Sequence, residues 1–499
     1  MDRAFPRTDL LAHRRETTPD RTALIDAETG DSWTFRELDT AVDRVAGGLD
    51  RVGVGPDTRV GTLLGTRPAT VRLVHAVQRL DGVLVPLHAR QPASELRDPA
   101  ERADVDLVVC EASTAEQGAE LSSAVGDVVT VDEVDGLHQL PASNGAFTDD
   151  GDWDDDDLAV VLFTSGTTGR PKGVRLTRGN LRASAEASAY RLGVDPGDRW
   201  LCCLPMYHMG GLAPVFRTAL YGTTLVLQRE FDAEATAEVI DRRGITGVSL
   251  VPTMLTRLLD AGWHPPEHLD TVLLGGAPAT PDLLERALER GVPVYPTYGT
   301  TETASQIATA RPEQVRADPE TVGQPLVNTT VEIVDDGGTV PAGETGEVVV
   351  SGPTVAAGYL DEDRSSEAFG PDGFHTGDLG VRGPEGRLRV VGRVDDLIVT
   401  GGENVAPATV ESALRVHQGV EDVAVVGIED AEWGERVAAL VVGETDAADL
   451  DAHCRERLAG YQCPKQYGFA GELPRTASGT VDRRAVRERL RADDRNGGP

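Results

Sequence analysis

Leu158-Ala-Val-Val-Leu-Phe-Thr-Ser-Gly-Thr-Thr-Gly-Arg-Pro-Lys-Gly173 decides how this chain reads. Residues 158–163 are uninterrupted apolar, the pattern of a strand buried on both faces. Directly after them come Thr164, Ser165, Gly166, Thr167, Thr168 and Gly169, and then Lys172. Glycines let backbone N–H groups turn toward an anion, hydroxyls add donors, and the lysine adds charge. A buried strand feeding such a loop predicts an α/β fold with a phosphate-binding loop. The spacing is not the Walker A pattern, because Gly173 rather than Ser or Thr follows the lysine. Gly/Thr/Ser runs are commonly plain surface loops. This one follows a buried strand and uses one of only two lysines in the chain, Lys172 and Lys465.

Working outward, the acidic stretch 148–157 reads as a surface linker. Residues 35–52 carry apolar positions at helical spacing, and 83–87 form a short apolar strand. Downstream, 271–274 predicts a strand that ends in a Gly275–Gly276 turn. Thr280 and Pro281 then open a helix through Leu288, with Asp282 and Glu285 near its positive end. Residues 292–295 predict the next strand. Repeated strand–helix units indicate parallel α/β architecture. After about Asn328 the texture changes to short strands at 331–334, 346–350 and 386–391, split by Gly, Pro and Asp, as in hairpins or a small barrel. Beyond Gly392, helices at 405–416, 449–458 and 480–491 alternate with strands at 423–428 and 437–442. A domain boundary is expected near 393–396. No internal repeat is visible.

Composition narrows the function classes. Asp+Glu number 82 against 48 Lys+Arg, a net charge of −34 over 499 residues. Such a surface repels phosphate backbones and anionic lipid, which disfavours general nucleic-acid or membrane binding. An acidic, lysine-poor surface suits a salt-saturated cytosol, where screening over ~3 Å at molar salt removes self-repulsion. A GC-rich genome would account for Arg in place of Lys, but not for the excess acid. The five cysteines include an adjacent pair and no C-x-x-C, which argues for a reducing cytosol and against a disulfide framework or zinc site. No apolar signal core and no run of ~18 apolar residues occurs, so no membrane span is expected.

Three further clusters carry chemistry. Tyr298-Gly-Thr-Thr-Glu-Thr303 sets hydroxyl donors beside a carboxylate, which suits a nucleotide phosphate with Mg2+; taken alone it is also a polar turn with a helix cap. Thr376-Gly-Asp378 places a carboxylate on a tight turn, where it could accept from ribose hydroxyls. Gly392-Arg-Val-Asp-Asp-Leu-Ile-Val-Thr-Gly-Gly402 offers a cation, two acids and a glycine pair at the expected boundary.

These segments, with Pro205-Met-Tyr-His208 and Pro474-Arg-Thr-Ala-Ser-Gly479, occur in the order and at the spacings of the adenylate-forming superfamily, which the chain resembles over nearly its whole length. That superfamily includes acyl-CoA synthetases, luciferases and peptide-synthetase adenylation domains. The resemblance implies a large N-terminal domain of α/β sheets plus a small β-barrel-like part (1–393), a hinge at 394–397 around Asp395, and a small α+β C-terminal lid (398–499). Within it, Leu273-Leu-Gly-Gly-Ala-Pro278, the run 296–307 and Arg217, nine residues after His208, are most similar to the ligases that join 2-succinylbenzoate to CoA in menaquinone biosynthesis. Arg217 is expected to serve the substrate's spectator carboxylate through a bidentate fork; otherwise it is an ordinary helix arginine.

The resemblance also implies roles. Lys172 and the 164–169 loop would hold the β- and γ-phosphates of ATP, Thr301 the α-phosphate, and Glu302 the Mg2+. Asp378 and Arg393 would hold the ribose. Gly276, Ala277 and Pro278 with Tyr298 would line the adenine and acyl pockets, with His208 and Ser305 on the acyl side. His208 reads equally as a packed aromatic. Gly401 and Gly402 would meet coenzyme A, the second co-substrate. All implied partners are small molecules, and the oligomeric state is open.

One departure stands out. The superfamily's S-G-K near the C-terminus is here Ser478-Gly479-Thr480. That lysine bridges the attacking carboxylate and the α-phosphate, and Thr480 supplies a donor without the charge. Arg483 or Arg484 is expected to substitute weakly. Arg178, where many relatives carry His, is a smaller departure. Three readings therefore stay open: a 2-succinylbenzoate–CoA ligase, an acyl- or aryl-CoA ligase of other range, and a nucleotide-binding protein with weakened adenylation.

Overall fold

Short runs of β-branched residues, each followed by a helix, build the larger part of the computed structural model. The structure describes residues 9–141, 143, 153–164, 170–335, 338–430, 433–475 and 481–495. The chain divides into two compact units, Met1–Val331 with Val350–Phe374, and Glu332–Val349 with His375–Pro499. This division falls earlier in the chain than the expected 394–397 segment.

Two sheets organise the first unit. One has seven strands in the order His138–Gln139, Asp127–Thr130, Leu107–Cys110, Arg59–Leu63, Val83–Pro86, Leu158–Thr164, Lys172–Thr177. All its pairings are parallel except the last. The other has six parallel strands at its heart: Val294–Tyr298, Thr271–Leu274, Gly247–Leu250, Arg199–Cys202, Thr224–Leu227 and Thr22–Asp26. Several of these strands are buried at every residue, as expected for parallel strands covered by helices on both faces. The helix Phe35–Arg51 begins where expected, because Thr34 and Glu37 form a reciprocal capping box. Pro281–Glu289 likewise starts at its proline behind Thr280, whose hydroxyl accepts the Leu283 N–H.

Beneath these helices Arg79 is buried among three carboxylates, Asp9, Asp39 and Asp43, at 2.6, 2.6 and 2.5 Å. His75, one turn earlier and 7 % exposed, has its pKa lowered from 6.5 to about 4, chiefly by burial, with the Asp9 charge opposing and Arg79 adding to the shift. A histidine held neutral in the fold must be protonated on unfolding below its ordinary pKa. The unfolded chain therefore binds more protons between pH 6.5 and about 4, and stability falls as pH falls through that window. Urea unfolding at pH 7 and pH 5 is expected to show this loss, and His75→Leu is expected to flatten it.

The short strands after Asn328 form a six-stranded sheet in the order Gly338–Thr339, Thr330–Asp335, Thr345–Ser351, Gly373–Arg382, Phe369–Gly370, with Leu388–Arg393 paired antiparallel to Gly373–Arg382. This is the small barrel-like part expected from the Gly- and Asp-punctuated texture. In the second unit Glu403–Val405, Ile398–Thr400, Gly434–Val442 and Asp422–Asp430 form another sheet, and Gln466–Ala470 joins Gly434–Val442 in parallel. Strict alternation gives that sheet two buried faces. Val423, Val425, Val437 and Ala439 pack with Val410, Leu414 and Leu450, whereas Ala424, Val426, Ala438 and Leu440 pack with Val486 and Leu490. The result is an α+β unit. All five cysteines are buried free thiols. Among the described residues, no helix is long and apolar enough to cross a membrane.

Candidate active site

In parallel sheets, ligands collect beyond the carboxyl ends of the strands. The first unit's chemistry-bearing segments lie there. Leu158–Thr164 runs antiparallel to Lys172–Thr177, with Thr164 and Lys172 as cross-strand partners. Lys172 therefore heads a strand instead of lying in the loop. Ser165, Gly166, Thr167, Thr168 and Gly169 lie outside the described residues. No ion pair or hydrogen bond engages the Lys172 ammonium among the described residues.

The strand Val294–Tyr298 ends in a 3-10 turn, Thr301–Thr303, that carries Glu302. The chain is strained here. Ala304 and Ser305 have φ of +52° and +130°, and a Cβ on Gly299 would stand 1.7 Å from the Ser305 carbonyl oxygen. Non-glycine residues held this way cost on the order of 1–3 kcal/mol each and cluster at functional sites. Gly276, with φ +79°, follows Thr271–Leu274, and parallel pairing of Leu274 with Pro296 sets it level with Tyr298 on the neighbouring strand. Ala277 and Pro278 are exposed beside it.

Residues 356–360 join the hairpin to this turn. The Leu360 N–H donates to Gly173 O (2.8 Å), Arg175 N–H to Gly358 O (2.9 Å), and Ala356 N–H to Glu302 O (2.8 Å). A Cβ on Gly173 would meet the Leu360 side chain at 2.5 Å, so any larger residue after the lysine would require Leu360 to move. Tyr359, 2 % exposed, donates its phenol to Glu302 Oε1 at 2.8 Å, and its ring centroid lies 5.0 Å from Lys172 Nζ. Glu302 is buried and pairs with no cation among the described residues. An ammonium and a carboxylate, each without a counter-ion among the described residues, thus share one tyrosine.

This donor set fits Mg2+. A hard cation of that kind uses one or two carboxylates plus phosphate oxygens and water. Among the described residues no group of three or more His, Cys, Asp or Glu forms an all-protein metal site.

A second cluster beyond the strand ends is aromatic. Val83–Pro86 lies beside Leu158–Thr164, with Leu84 opposite Val160, and leads to His88. Arg199–Cys202, in the other sheet, leads to Tyr207 and His208. The His88 ring packs on Tyr207 at 4.3 Å and on His208 at 5.5 Å. His208 retains exposed surface, yet desolvation, helped by His88 and Arg90, lowers its pKa to about 4. Desolvation lowers His88 as well. Both rings are therefore neutral near pH 7. His88 Nδ1 is buried with no partner among the described residues. No sequence motif marked His88; only the register of its strand against the phosphate hairpin reveals it.

Arg217 sits on Met209–Tyr221, 7 % exposed, with Nη2 lacking a hydrogen-bond partner and no carboxylate paired with it among the described residues. Burial lowers its pKa, and Tyr221 opposes that shift. His208, nine residues earlier, is the extended N-cap residue of this helix and not part of its helical faces. Arg217 instead shares a face with Tyr221, whose hydroxyl donates to Ala185 O. Ser184, on that same neighbouring helix, donates to Ala304 O at 2.8 Å. The guanidinium thus lies toward the helix that braces the strained 304–305 segment, and no contact joins it to His208.

In the second unit, Asp378 and Arg393 are cross-strand partners, with Nη1 2.7 Å from Oδ1. The Asp378 N–H donates to Thr376 Oγ1 (3.0 Å), and the Gly377 N–H to Glu347 Oε1 (2.9 Å). Asp395 is exposed on the 3-10 turn Val394–Asp396. Gly401 and Gly402, at φ +61° and +85°, make the turn between Ile398–Thr400 and Glu403–Val405. A Cβ on Gly401 would come within 2.9 Å of the Trp433 ring. Thr480 lies outside the described residues. Arg483 is already committed: its guanidinium contacts Asp396 (3.3 Å), Glu411 (2.8 Å) and Val425 O (2.6 Å). Arg484, 88 % exposed, pairs among the described residues only with Glu488 one turn on. Of the two arginines expected to substitute for the missing lysine, Arg483 is therefore a structural tie.

A strand pair leading to the Thr/Ser/Gly-rich segment, a buried carboxylate turn and a separate α+β unit are the parts of a nucleotide-activating enzyme, and the chain belongs to the AMP-binding enzyme family. The family's model matches residues 11–360, and that of the AMP-binding enzyme C-terminal domain matches 409–480. Over 483 residues the chain is 38% identical to 2-succinylbenzoate–CoA ligase of Bacillus cereus (strain Q1), covering 96% of this chain and 98% of the relative. It superposes on o-succinylbenzoate CoA synthetase (MenE) of Bacillus subtilis in complex with the acyl-adenylate intermediate OSB-AMP, with TM-score 0.85 and 36% identity over 96% of this chain and 97% of that one. The same enzyme with ATP and magnesium ion gives TM-score 0.85 and 36% identity over 97% and 99%.

Proposed function

We propose that the chain is an ATP-dependent acid–CoA ligase that forms 2-succinylbenzoyl-CoA for menaquinone biosynthesis. The observation that carries this reading is the Lys172–Tyr359–Glu302 arrangement, which presents a cation and a carboxylate that pair with no opposite charge among the described residues. The succinyl carboxylate attacks the α-phosphorus of ATP, giving the acyl-adenylate and pyrophosphate. The thiol of CoA then attacks the acyl carbon, giving the thioester and AMP. Lys172 and the 164–169 loop hold the β- and γ-phosphates, and Thr301 the α-phosphate. Glu302 would hold Mg2+, which when bound would neutralise charge on the triphosphate. Asp378 and Arg393 hold the ribose. Gly276, Ala277, Pro278 and Tyr298 line the adenine and acyl pockets, with His208 and Ser305 on the acyl side. Arg217 takes the spectator carboxylate. Residues 1–393 form the adenylating part. Residues 398–499 turn about Asp395 between the half-reactions and bring Gly401 and Gly402 to CoA, a step that can limit turnover.

The experiment is thioester formation from a panel of carboxylic acids with ATP, Mg2+ and CoA in molar salt. A preference for 2-succinylbenzoate supports the reading. A preference for a neutral-tailed acid replaces it with a ligase of other range. Absence of AMP release with every acid favours a nucleotide-binding protein with weakened adenylation, the reading that Thr480 motivates.

We further propose a salt-rich cytoplasm as its setting, supported by the net charge of −34. At ~1 M salt repulsion is screened beyond ~3 Å, and in dilute buffer it is not. Transfer from molar to dilute salt is expected to lower the melting temperature and abolish activity. Unchanged values in dilute buffer would contradict this.

A further inference from the structure

We propose that Tyr359 is a positioning residue that holds the metal-binding carboxylate of Glu302 and keeps it apart from Lys172; this rests on the ligase reading above. Tyr359 lies outside every motif that marked the site. Its backbone is fixed by the antiparallel bridge to Val174 and by the bonds flanking it, Arg175 N–H to Gly358 O and Leu360 N–H to Gly173 O. Its ring is fixed edge-on to Phe369, centroids 5.2 Å apart at 76°. The side chain therefore has one place to be.

Its two functional contacts differ in kind. The phenol donates to Glu302 Oε1 at 2.8 Å, and the other carboxylate oxygen has no protein partner among the described residues. The ring centroid lies 5.0 Å from the Lys172 ammonium, within cation–π range. Lys172 and Glu302 thus meet different parts of one side chain, its ring and its phenol, and among the described residues no direct ion pair joins them; such a pair would withdraw both from phosphate and from metal. The tyrosine gives the carboxylate a neutral hydrogen bond and the ammonium a π-face, so both charges stay available. The donor bond also orients the carboxylate, which a divalent cation with strict octahedral demands requires.

The test is ATP affinity by calorimetry, measured with Mg2+ and in excess EDTA, for the wild type, Tyr359→Phe, Glu302→Gln and the double variant. Phenylalanine keeps the ring and removes only the phenol donor. Tyr359→Phe is expected to leave metal-free ATP affinity within about twofold and to cut the Mg2+-dependent gain about tenfold or more, as for loss of a hydrogen bond to a charged group. In the Glu302→Gln background the same change is expected to cost nothing further, because the tyrosine acts through that carboxylate. A wild-type gain in Tyr359→Phe, or an equal loss in both backgrounds, overturns the proposal. If the wild type binds no ATP under either condition, the ligase reading itself fails.

Discussion

Replacing Arg217 by methionine is expected to lower kcat/KM for 2-succinylbenzoate by roughly 10²–10³ and, in the same protein, to raise the melting temperature. The two effects share one cause. Arg217 is buried, has an unsatisfied Nη2 and meets no carboxylate among the described residues. A guanidinium in that state costs desolvation energy that nothing in the free protein returns. A substrate carboxylate repays it, and losing one partner of a buried charged pair costs on the order of 2–5 kcal/mol. Methionine keeps most of the volume and removes the unpaid charge. Steady-state kinetics with the dicarboxylate and with a neutral-tailed analogue, alongside thermal unfolding, separate the roles. Activity on the neutral-tailed acid should survive. A variant that loses both activities equally, or that is destabilised, identifies Arg217 as structural.

Thr480→Lys is expected to accelerate ATP–pyrophosphate exchange by about 10²–10³, because one charged donor aligned on the developing transition state is worth ~2.7–4 kcal/mol. The arginines test what serves in its absence. Arg484, exposed and held among the described residues only by Glu488, is the one able to reach elsewhere, so Arg484→Ala should slow exchange in the wild type and have little effect beside Thr480→Lys. Arg483→Ala should instead destabilise the second unit, since buried Glu411 loses its nearer cation at 2.8 Å and keeps only Arg415 at 3.8 Å. An unchanged exchange rate in Thr480→Lys would mean that the position does not face the reacting groups.

Much of the scaffold was legible because local chemistry and tertiary demand agree. Thr34 and Glu37 cap the helix Phe35–Arg51, and Thr280 with Pro281 opens Pro281–Glu289. Thr271–Leu274 begins and ends as its apolar run does. Where they diverge, tertiary pairing decides. The strand expected at 292–295 runs as Val294–Tyr298 instead, since Pro296 lacks only a donor and its carbonyl accepts from Ala310 N–H. Pro171-Lys172-Gly173 reads as loop, but Lys172–Thr177 gains six cross-strand partners. The site divides in the same way. Lys172, Glu302, Asp378 and Arg393 belong to segments whose composition announces anion or ribose chemistry. Tyr359 and His88 are single residues whose meaning comes from partners far along the chain, Glu302 and Tyr207. The capture of Arg483 by Glu411, 72 residues away, was equally out of reach of any local pattern.

The most direct test of the whole account is isotope exchange between pyrophosphate and ATP in molar salt with Mg2+. Exchange that requires 2-succinylbenzoate, falls with Lys172→Ala and Glu302→Gln, and gives way to AMP release when CoA is added is the predicted result. Exchange absent with every carboxylic acid, in the wild type and in Thr480→Lys alike, would contradict it.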